Sequence, residues 1–231
     1  MNRIITLLAV ASIGVAAQAQ TLIFYSNFNG TGTNGQVANY SELLTPAVNL
    51  VGGIYTVAGA TQAATITSPA NGNYGSFSGT TVNAQGGDVA GGSFVVVGTN
   101  SNGASLTLQM NTTGWQNIRV IDVFRRTSTG YNDIDIDVSS DGGNSWDVVV
   151  ANLNAPTSGF PASPNVDEFL PASANNNSDV RLRFTFNGAT NTAGNMRMDN
   201  LTIYADAVPE PASMIALGAG LLALARRRRS K

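Results

Sequence analysis

Short runs of β-branched and aromatic residues recur along this chain, separated by clusters of Asn, Gly, Ser and Thr. Such runs favour extended strands, and the clusters between them are typical of turns. Outside its two ends the chain has no sustained helical stripe and no repeat of fixed period. The pattern predicts an all-β fold, an antiparallel β-sandwich of jelly-roll type. The predicted strands are 21–28, 53–58, 93–98, 105–110, 117–124, 133–139, 146–151, 180–186 and 196–204.

Two of these strands show which side chains face inward. Hydrophobic residues alternate with aspartates in 133–138, and with Arg181, Arg183 and Thr185 in 181–186. Period-two alternation places the hydrophobic set in the core and the charges on the outer face. If the two strands are neighbours, the arginines can neutralise the aspartates, although exposed pairs contribute only about 0.2–1 kcal/mol each.

The same aspartates begin a D-x-D-x-D pattern, which is also how an EF-hand calcium loop begins. Such a loop needs glycine at its sixth position and glutamate at its twelfth, where this chain has Val138 and Asn144. A solvated strand face is therefore the preferred interpretation.

The segment 139–146 has the spacing S-x-D-x-G-x-S-W and resembles the Asp-box hairpin motif. Asp141 is predicted to accept backbone N–H bonds across the turn, while Gly142 and Gly143 permit positive φ angles. Trp146 is predicted to pack in the core at the start of the next strand. In the families that carry this motif it holds a hairpin together, so its role here is predicted to be structural.

In 196–204 the hydrophobic phase of the strand reverses between Asp199 and Asn200. This reversal predicts a β-bulge, or a strand that faces two different neighbours. The segment resembles the closing strand of jelly-roll carbohydrate-binding and adhesion modules, a resemblance that covers roughly residues 105–204. It implies a structural calcium bound by Asp199 and, more weakly, by Asn27. The residues themselves leave a second interpretation open, in which Asp199 caps a turn beside the bulge.

Sugar-binding modules stack a sugar ring on an exposed aromatic side chain. Trp115 and Tyr131 lie in or beside turn-rich stretches and are the candidate stacking residues. Aromatic residues make up only 7% of the chain, so packing in the core or at its rim is the competing interpretation for both.

Composition restricts the chemistry that the chain can perform. It has no cysteine and no histidine, which excludes disulfides, Ser-His-Asp and Cys-His nucleophiles, and zinc sites built from imidazole or thiolate. Residues 20–206 contain 13 of the 14 acidic residues but only six of the 12 basic residues. The excess of acidic residues in this region argues against nucleic-acid binding. A carboxylate-dependent glycan hydrolase or lyase remains the alternative to a non-catalytic protein, although neither Glu42 nor Glu168 lies in a recognisable catalytic pattern.

The N-terminal segment has Arg3, a hydrophobic stretch over 4–15, and small residues at Ala17 and Ala19. This order predicts a Sec signal peptide over residues 1–19, cleaved after Ala19. Residues 20–206 are then the β-sandwich domain, and residues 207–231 form a separate C-terminal segment.

The C-terminal segment joins three features in a fixed order. Val208, Pro209, Glu210 and Pro211 are followed by the hydrophobic or small residues 212–225 and by Arg226, Arg227, Arg228 and Arg229. A helix over 212–225 would cover about 21 Å, against a hydrocarbon core of about 30 Å, so spanning is marginal. The arginines would act as a stop-transfer signal on the cytoplasmic side.

This order of features resembles the PEP-CTERM sorting signal of exported bacterial proteins. The resemblance implies cleavage near Pro-Glu-Pro by an exosortase, after transient anchoring in the inner membrane, and delivery to the surface or exopolysaccharide matrix of a Gram-negative bacterium. A permanent tail anchor is the alternative. The sequence thus predicts an exported, non-catalytic surface or matrix protein, for which glycan binding or adhesion is a candidate role.

Overall fold

The computed structural model describes residues 19–29, 40–62 and 73–209, together with 218, 220, 222 and 226. Between residues 19 and 209 the described part of the chain has one short α-helix, Tyr40–Leu43 (α1), and two single turns of 3-10 helix, Thr99–Ser101 and Ala172–Ala174. Its other regular elements are strands. The strands are Thr21–Ser26 (β1), Val48–Asn49 (β2), Ile54–Ala58 (β3), Thr61–Gln62 (β4), Asn73–Ser78 (β5), Gly92–Val97 (β6), Ala104–Met110 (β7), Trp115–Arg126 (β8), Asp133–Ser139 (β9), Asp147–Leu153 (β10), Val166–Phe169 (β11), Val180–Asn187 (β12) and Asn195–Ala207 (β13).

The strands form two sheets that pack face to face as a jelly-roll sandwich. In the larger sheet the order is β11-β8-β13-β6-β5-β4, with β1 paired to β13 and β2 paired to β1. In the smaller sheet the order is β10-β9-β12-β7-β3. Every pairing is antiparallel except β4 with β5. The predicted all-β antiparallel sandwich is confirmed, and each of the nine predicted strands corresponds to an observed one.

The core lies between the sheets and is made by the predicted alternation. Ile134, Ile136 and Val138 of β9 are buried, as are Leu182, Phe184 and Phe186 of β12. Aromatic rings join the sheets: Phe124 lies 6.0 Å from Phe184 between ring centroids. The charged residues of both strands are consequently left on the outer face of the smaller sheet.

The last strand ends directly at the sorting segment. β13 pairs with β8 as far as Ala207, and the Val208 N–H donates to the Gly114 carbonyl at 2.8 Å. Pro209 follows as exposed coil. Glu210, Pro211, Arg227, Arg228 and Arg229 lie outside the described residues, as does 1–18 of the predicted signal peptide. The backbone is helical at four exposed residues farther on, Gly218, Gly220, Leu222 and Arg226. The described part of the chain contains no helix long and apolar enough to span a membrane.

Candidate functional site

The outer face of the smaller sheet carries rows of hydrogen-bonding side chains, here called the polar face, of which Asp137 and Ser139 are buried. Its central strand is β12, which lies between β9 and β7. One row across it runs Asp137, Arg183 and Thr107, as the strand register places them side by side. The neighbouring rows are Asp135, Thr185 and Ser105, and Ser139, Arg181 and Gln109. The predicted neighbourhood of the aspartates and arginines is thus correct.

Trp146 lies on this polar face rather than in the core, where the sequence had placed it. The guanidinium carbon of Arg183 stands 3.8 Å from the centroid of the Trp146 ring, a close cation–π contact. Arg183 Nη2 also donates to Asp137 Oδ2 at 2.9 Å, which fixes the guanidinium against the indole. The prediction failed because Trp146 precedes the edge strand β10, and the charged outer face of β12 supplies the ring's partner.

The hairpin that carries Trp146 is held by Asp141, as the Asp-box resemblance implied. Asp141 Oδ1 accepts the N–H groups of Asn144 at 3.0 Å and Ser145 at 2.9 Å, and its Oδ2 accepts the Ser145 hydroxyl at 2.6 Å. These bonds, above all the one from the Ser145 hydroxyl, lower the pKa of Asp141. Gly142 and Gly143 have φ angles of 74° and 92°. The turn therefore fixes where Trp146 enters the polar face.

Asp199 stands beside the bulge that the sequence predicted. The register of β13 against β8 shifts between Asp199 and Thr202, and Asn200 has a φ of 56°. Asp199 Oδ1 accepts the Asn200 N–H at 2.9 Å, and Oδ2 accepts the Thr80 N–H at 2.6 Å. Asp199 therefore caps the bulge and joins it to the loop after β5, as in the second of the two interpretations from sequence.

The surroundings of Asp199 do not fit the calcium site that the resemblance implied. Backbone N–H donors face both of its oxygens, whereas calcium needs six to eight oxygen ligands. Asn27 is engaged elsewhere: its Nδ2 donates to Asp88 Oδ2 at 2.8 Å, and its Oδ1 accepts the Asn29 N–H. Within the described residues no group of three or more acidic side chains could hold a metal ion.

Burial changes the acidity of two carboxyl groups in the larger sheet. Burial raises the pKa of Asp199 to about 8, even though its N–H donors act in the opposite direction. Burial likewise raises the pKa of Asp122 well above its ordinary value, and the nearby Asp199 adds to this effect. Asp122 faces the core on β8, where its Oδ1 accepts the Val123 N–H and its Oδ2 has no partner.

These raised pKa values predict a stability that falls as the pH rises. Between about pH 4 and pH 8 the folded protein keeps a proton on Asp199 that the unfolded chain releases. We expect the free energy of unfolding to decrease by about 1 kcal/mol per pH unit over this window. Denaturant unfolding at a series of pH values measures the slope. Asp199→Asn should reduce the slope without abolishing it, because burial also raises the pKa of Asp122. The exposed Asp167→Asn should leave the slope unchanged, and a flat wild-type profile would refute the prediction.

The structure does not bring the two predicted stacking residues together. Tyr131 is fully buried, and its hydroxyl donates to the Gly98 carbonyl at 2.6 Å, so its assignment as a stacking residue is wrong. Trp115 begins β8 in the larger sheet, where it is partly buried and packs against the core. Trp146, in contrast, lies among the polar groups on the outer face of β12, and that charged face was the sequence feature that could have indicated it.

The two glutamates considered for catalysis lie apart. Glu42 is exposed in α1, which packs beside β6, and Glu168 is exposed in β11 at the far edge of the larger sheet. β8 and β13 lie between β11 and β6, so the two glutamates do not form the acid–base pair that glycoside hydrolysis requires.

Several solved structures are similar to this chain in overall shape. The CBM22-1 xylan-binding domain of Xyn10C from Paenibacillus barcinonensis is 12% identical, with a TM-score of 0.45, over 84% of this chain and 100% of that one. A stig cyclase, Fisc, from Fischerella sp. TAU is 14% identical, with a TM-score of 0.49, over 82% and 100%. The K2 cleaved adhesin domain of Lys-gingipain is 10% identical, with a TM-score of 0.42, over 78% and 96%. These identities are too low to transfer a function.

The C-terminal segment gives a more specific result. No curated protein matches the chain. Residues 207–229, however, match the family described as the PEP-CTERM protein-sorting motif, which includes the predicted Val208, Pro209, Glu210 and Pro211. Such a motif indicates an exported protein that is sorted to the envelope or surface of a Gram-negative cell. The chain therefore ends in a PEP-CTERM sorting motif.

Proposed function

We propose that the protein is a non-catalytic glycan-binding component of the cell surface or exopolysaccharide matrix, delivered there by its C-terminal signal. After Sec export, residues 212–225 anchor the protein transiently in the inner membrane. Arg226 and the three arginines after it stay on the cytoplasmic side. An exosortase then cuts near Pro209-Glu210-Pro211. The observation that carries the sorting part of this proposal is the motif match at residues 207–229.

The position of the motif suits such processing. The sandwich ends with the Val208 N–H bonded to Gly114, and Pro209 is already exposed. Two prolines on either side of Glu210 favour an extended backbone with few N–H donors, a shape that enters a protease groove. Cleavage here releases the folded domain with almost no stalk.

The polar face supports glycan binding by the domain. Sugars present hydroxyl groups that need both donors and acceptors, and they have hydrophobic ring faces that stack on aromatic side chains. Arg183, Thr107 and Gln109 supply donors and Asp135 supplies an acceptor on this face, while the buried Asp137 holds Arg183 in place. The partly buried Trp146, fixed by Arg183, adds an aromatic group at one side of this surface.

Affinity electrophoresis through gels that contain the producing organism's own exopolysaccharide tests this site. Trp146→Ala is expected to weaken binding about tenfold, because an aromatic stacking contact contributes about 0.5–1.5 kcal/mol beyond its buried area. The matched control is Phe169→Ala, which removes an exposed ring that also stacks on an arginine, Arg119, but in the other sheet. Wild-type protein that is not retarded by the polysaccharide, or a Trp146→Ala variant that binds normally, would refute the glycan site.

A further inference from the structure

Two arginines face each other across neighbouring strands of the larger sheet. Arg125 of β8 and Arg197 of β13 are direct cross-strand partners. Their neighbours Phe124, Met196 and Met198 are in the core, so both arginines project from the outer face. The Cα atoms of such partners lie about 4.5–5.5 Å apart, and like charges in this position repel each other. The two residues, here called the arginine pair, therefore oppose folding unless something offsets their charge.

No acidic side chain of the described residues neutralises the arginine pair. The three ion pairs found there belong to Arg119, Arg181 and Arg183. Among the described residues, Arg197 donates only to the Ser78 carbonyl, at 3.3 Å, and the Nε atoms of both arginines are buried and have no hydrogen-bond partner. Burial, together with the charge of Arg125, lowers the pKa of Arg197 to about 10. The pair is unusual in a domain, residues 20–206, in which acidic residues outnumber basic ones.

Aromatic side chains flank both guanidinium groups. The guanidinium carbon of Arg197 lies 4.8 Å from the ring centroid of Phe77, and that of Arg125 lies 5.8 Å from the ring centroid of Phe160. Both rings are partly exposed. A ring holds a guanidinium by its flat face, which leaves the N–H edge free to donate to an oxyanion. Positive groups beside hydrophobic rings are the chemistry that a charged sugar requires.

We propose that the arginine pair binds the carboxylate of an acidic sugar unit in a polysaccharide. A planar carboxylate accepts two parallel N–H bonds from one guanidinium, and its negative charge offsets the repulsion between the two arginines. The hydrophobic face of the sugar ring then packs against Phe77 or Phe160. This inference rests on the proposed glycan-binding function and assigns it a second surface with a preference for acidic polymers.

Two polymers that differ only in charge test the preference. Purified full-length protein is titrated with polygalacturonate and with its fully methyl-esterified form, at low and at physiological salt. The acid form should bind at least tenfold more tightly, because hydrogen bonds from arginine to a charged carboxylate are stronger than those to a neutral ester. Arg125→Gln and Arg197→Gln should each abolish the difference, whereas Arg119→Gln, which removes the arginine that is ion-paired with Asp167 in the same sheet, should preserve it.

A thermal measurement separates loss of binding from loss of folding. Without ligand, Arg197→Gln should melt at the wild-type temperature or above it, because the substitution removes a repulsion. Added polygalacturonate should raise the melting temperature of the wild type and not that of the variant. A variant that melts well below the wild type would show that the arginine has a structural role, and would overturn the assignment.

The remaining outcomes distinguish this inference from the proposed function. If both polymers bind equally, Arg125→Gln and Arg197→Gln have no effect and Trp146→Ala weakens both, the inference fails and glycan binding stands. If neither these polymers nor the host polysaccharide is bound, both fail. If the arginine variants instead abolish self-association at high protein concentration, the partner of the pair is an acidic side chain of a second copy, and the glycan assignment is overturned.

Discussion

Replacing Asn200 with alanine is expected to lower the free energy of unfolding by about 3 kcal/mol, because several buried hydrogen bonds are lost together. Asn200 Nδ2 donates to the carbonyls of Thr80 at 2.8 Å and Val82 at 2.9 Å. Its Oδ1 accepts the Tyr25 hydroxyl at 3.0 Å. Alanine would leave these groups without their partner, and it would have to adopt the φ of 56° at the bulge.

Asn152→Ala is the matched control for this prediction. Asn152 has a φ of 53° on an exposed strand position, so its substitution tests the backbone cost without buried side-chain bonds. We expect the control to cost about 1 kcal/mol, the usual penalty for alanine in the left-handed region. Urea denaturation of both variants measures the difference. Equal losses would mean that the side-chain bonds of Asn200 contribute nothing.

Replacing Phe184 with alanine is expected to cost about 3–5 kcal/mol, the range measured for large-to-small changes in tightly packed cores. The ring is fully buried on the inner face of β12 and meets Phe124 of the larger sheet at 6.0 Å. Its removal would open a cavity at the contact between the two sheets. In a sandwich without disulfides, such a loss is a large share of a total stability of about 5–15 kcal/mol.

The neighbouring residue provides the control for the core prediction. Thr185 faces outward from the same strand, between Asp135 and Ser105 of the adjoining strands. Thr185→Ala should change the free energy of unfolding by no more than about 0.5 kcal/mol. If the two variants are equally stable by urea denaturation, the inner face of β12 is not the packed contact described here.

The fold was largely predictable because it follows from alternation within single strands. The inward positions of β9 and β12 can be read from the hydrophobic residues alone, and the phase reversal located the bulge between Asp199 and Asn200. β2 and β4 were missed, since two-residue strands are too short to show a period. β5 was missed because its sequence, NYGSFS, resembles a turn, and β11 was missed because its four residues are too few to show a period.

The sites were harder to predict because they depend on which strands become neighbours. Trp146 was assigned to the core because its local sequence does not show that Arg183 covers it from another strand. Tyr131 follows a turn in sequence, yet its hydroxyl reaches Gly98, more than thirty positions away. The arginine pair exists only because the register of β13 on β8 brings Arg197 opposite Arg125. No pattern within a single strand reveals such pairings.

Mass spectrometry of the protein recovered from the surface or matrix of its native host tests the central claim most directly. Our account predicts a C-terminus within residues 208–211, with the hydrophobic segment and the arginines removed, and an N-terminus at Gln20. Replacement of Pro209 and Pro211 by alanine should leave the C-terminal segment attached and keep the protein in the inner membrane. An intact tail ending at Lys231 on protein from the matrix would contradict sorting by cleavage at this motif.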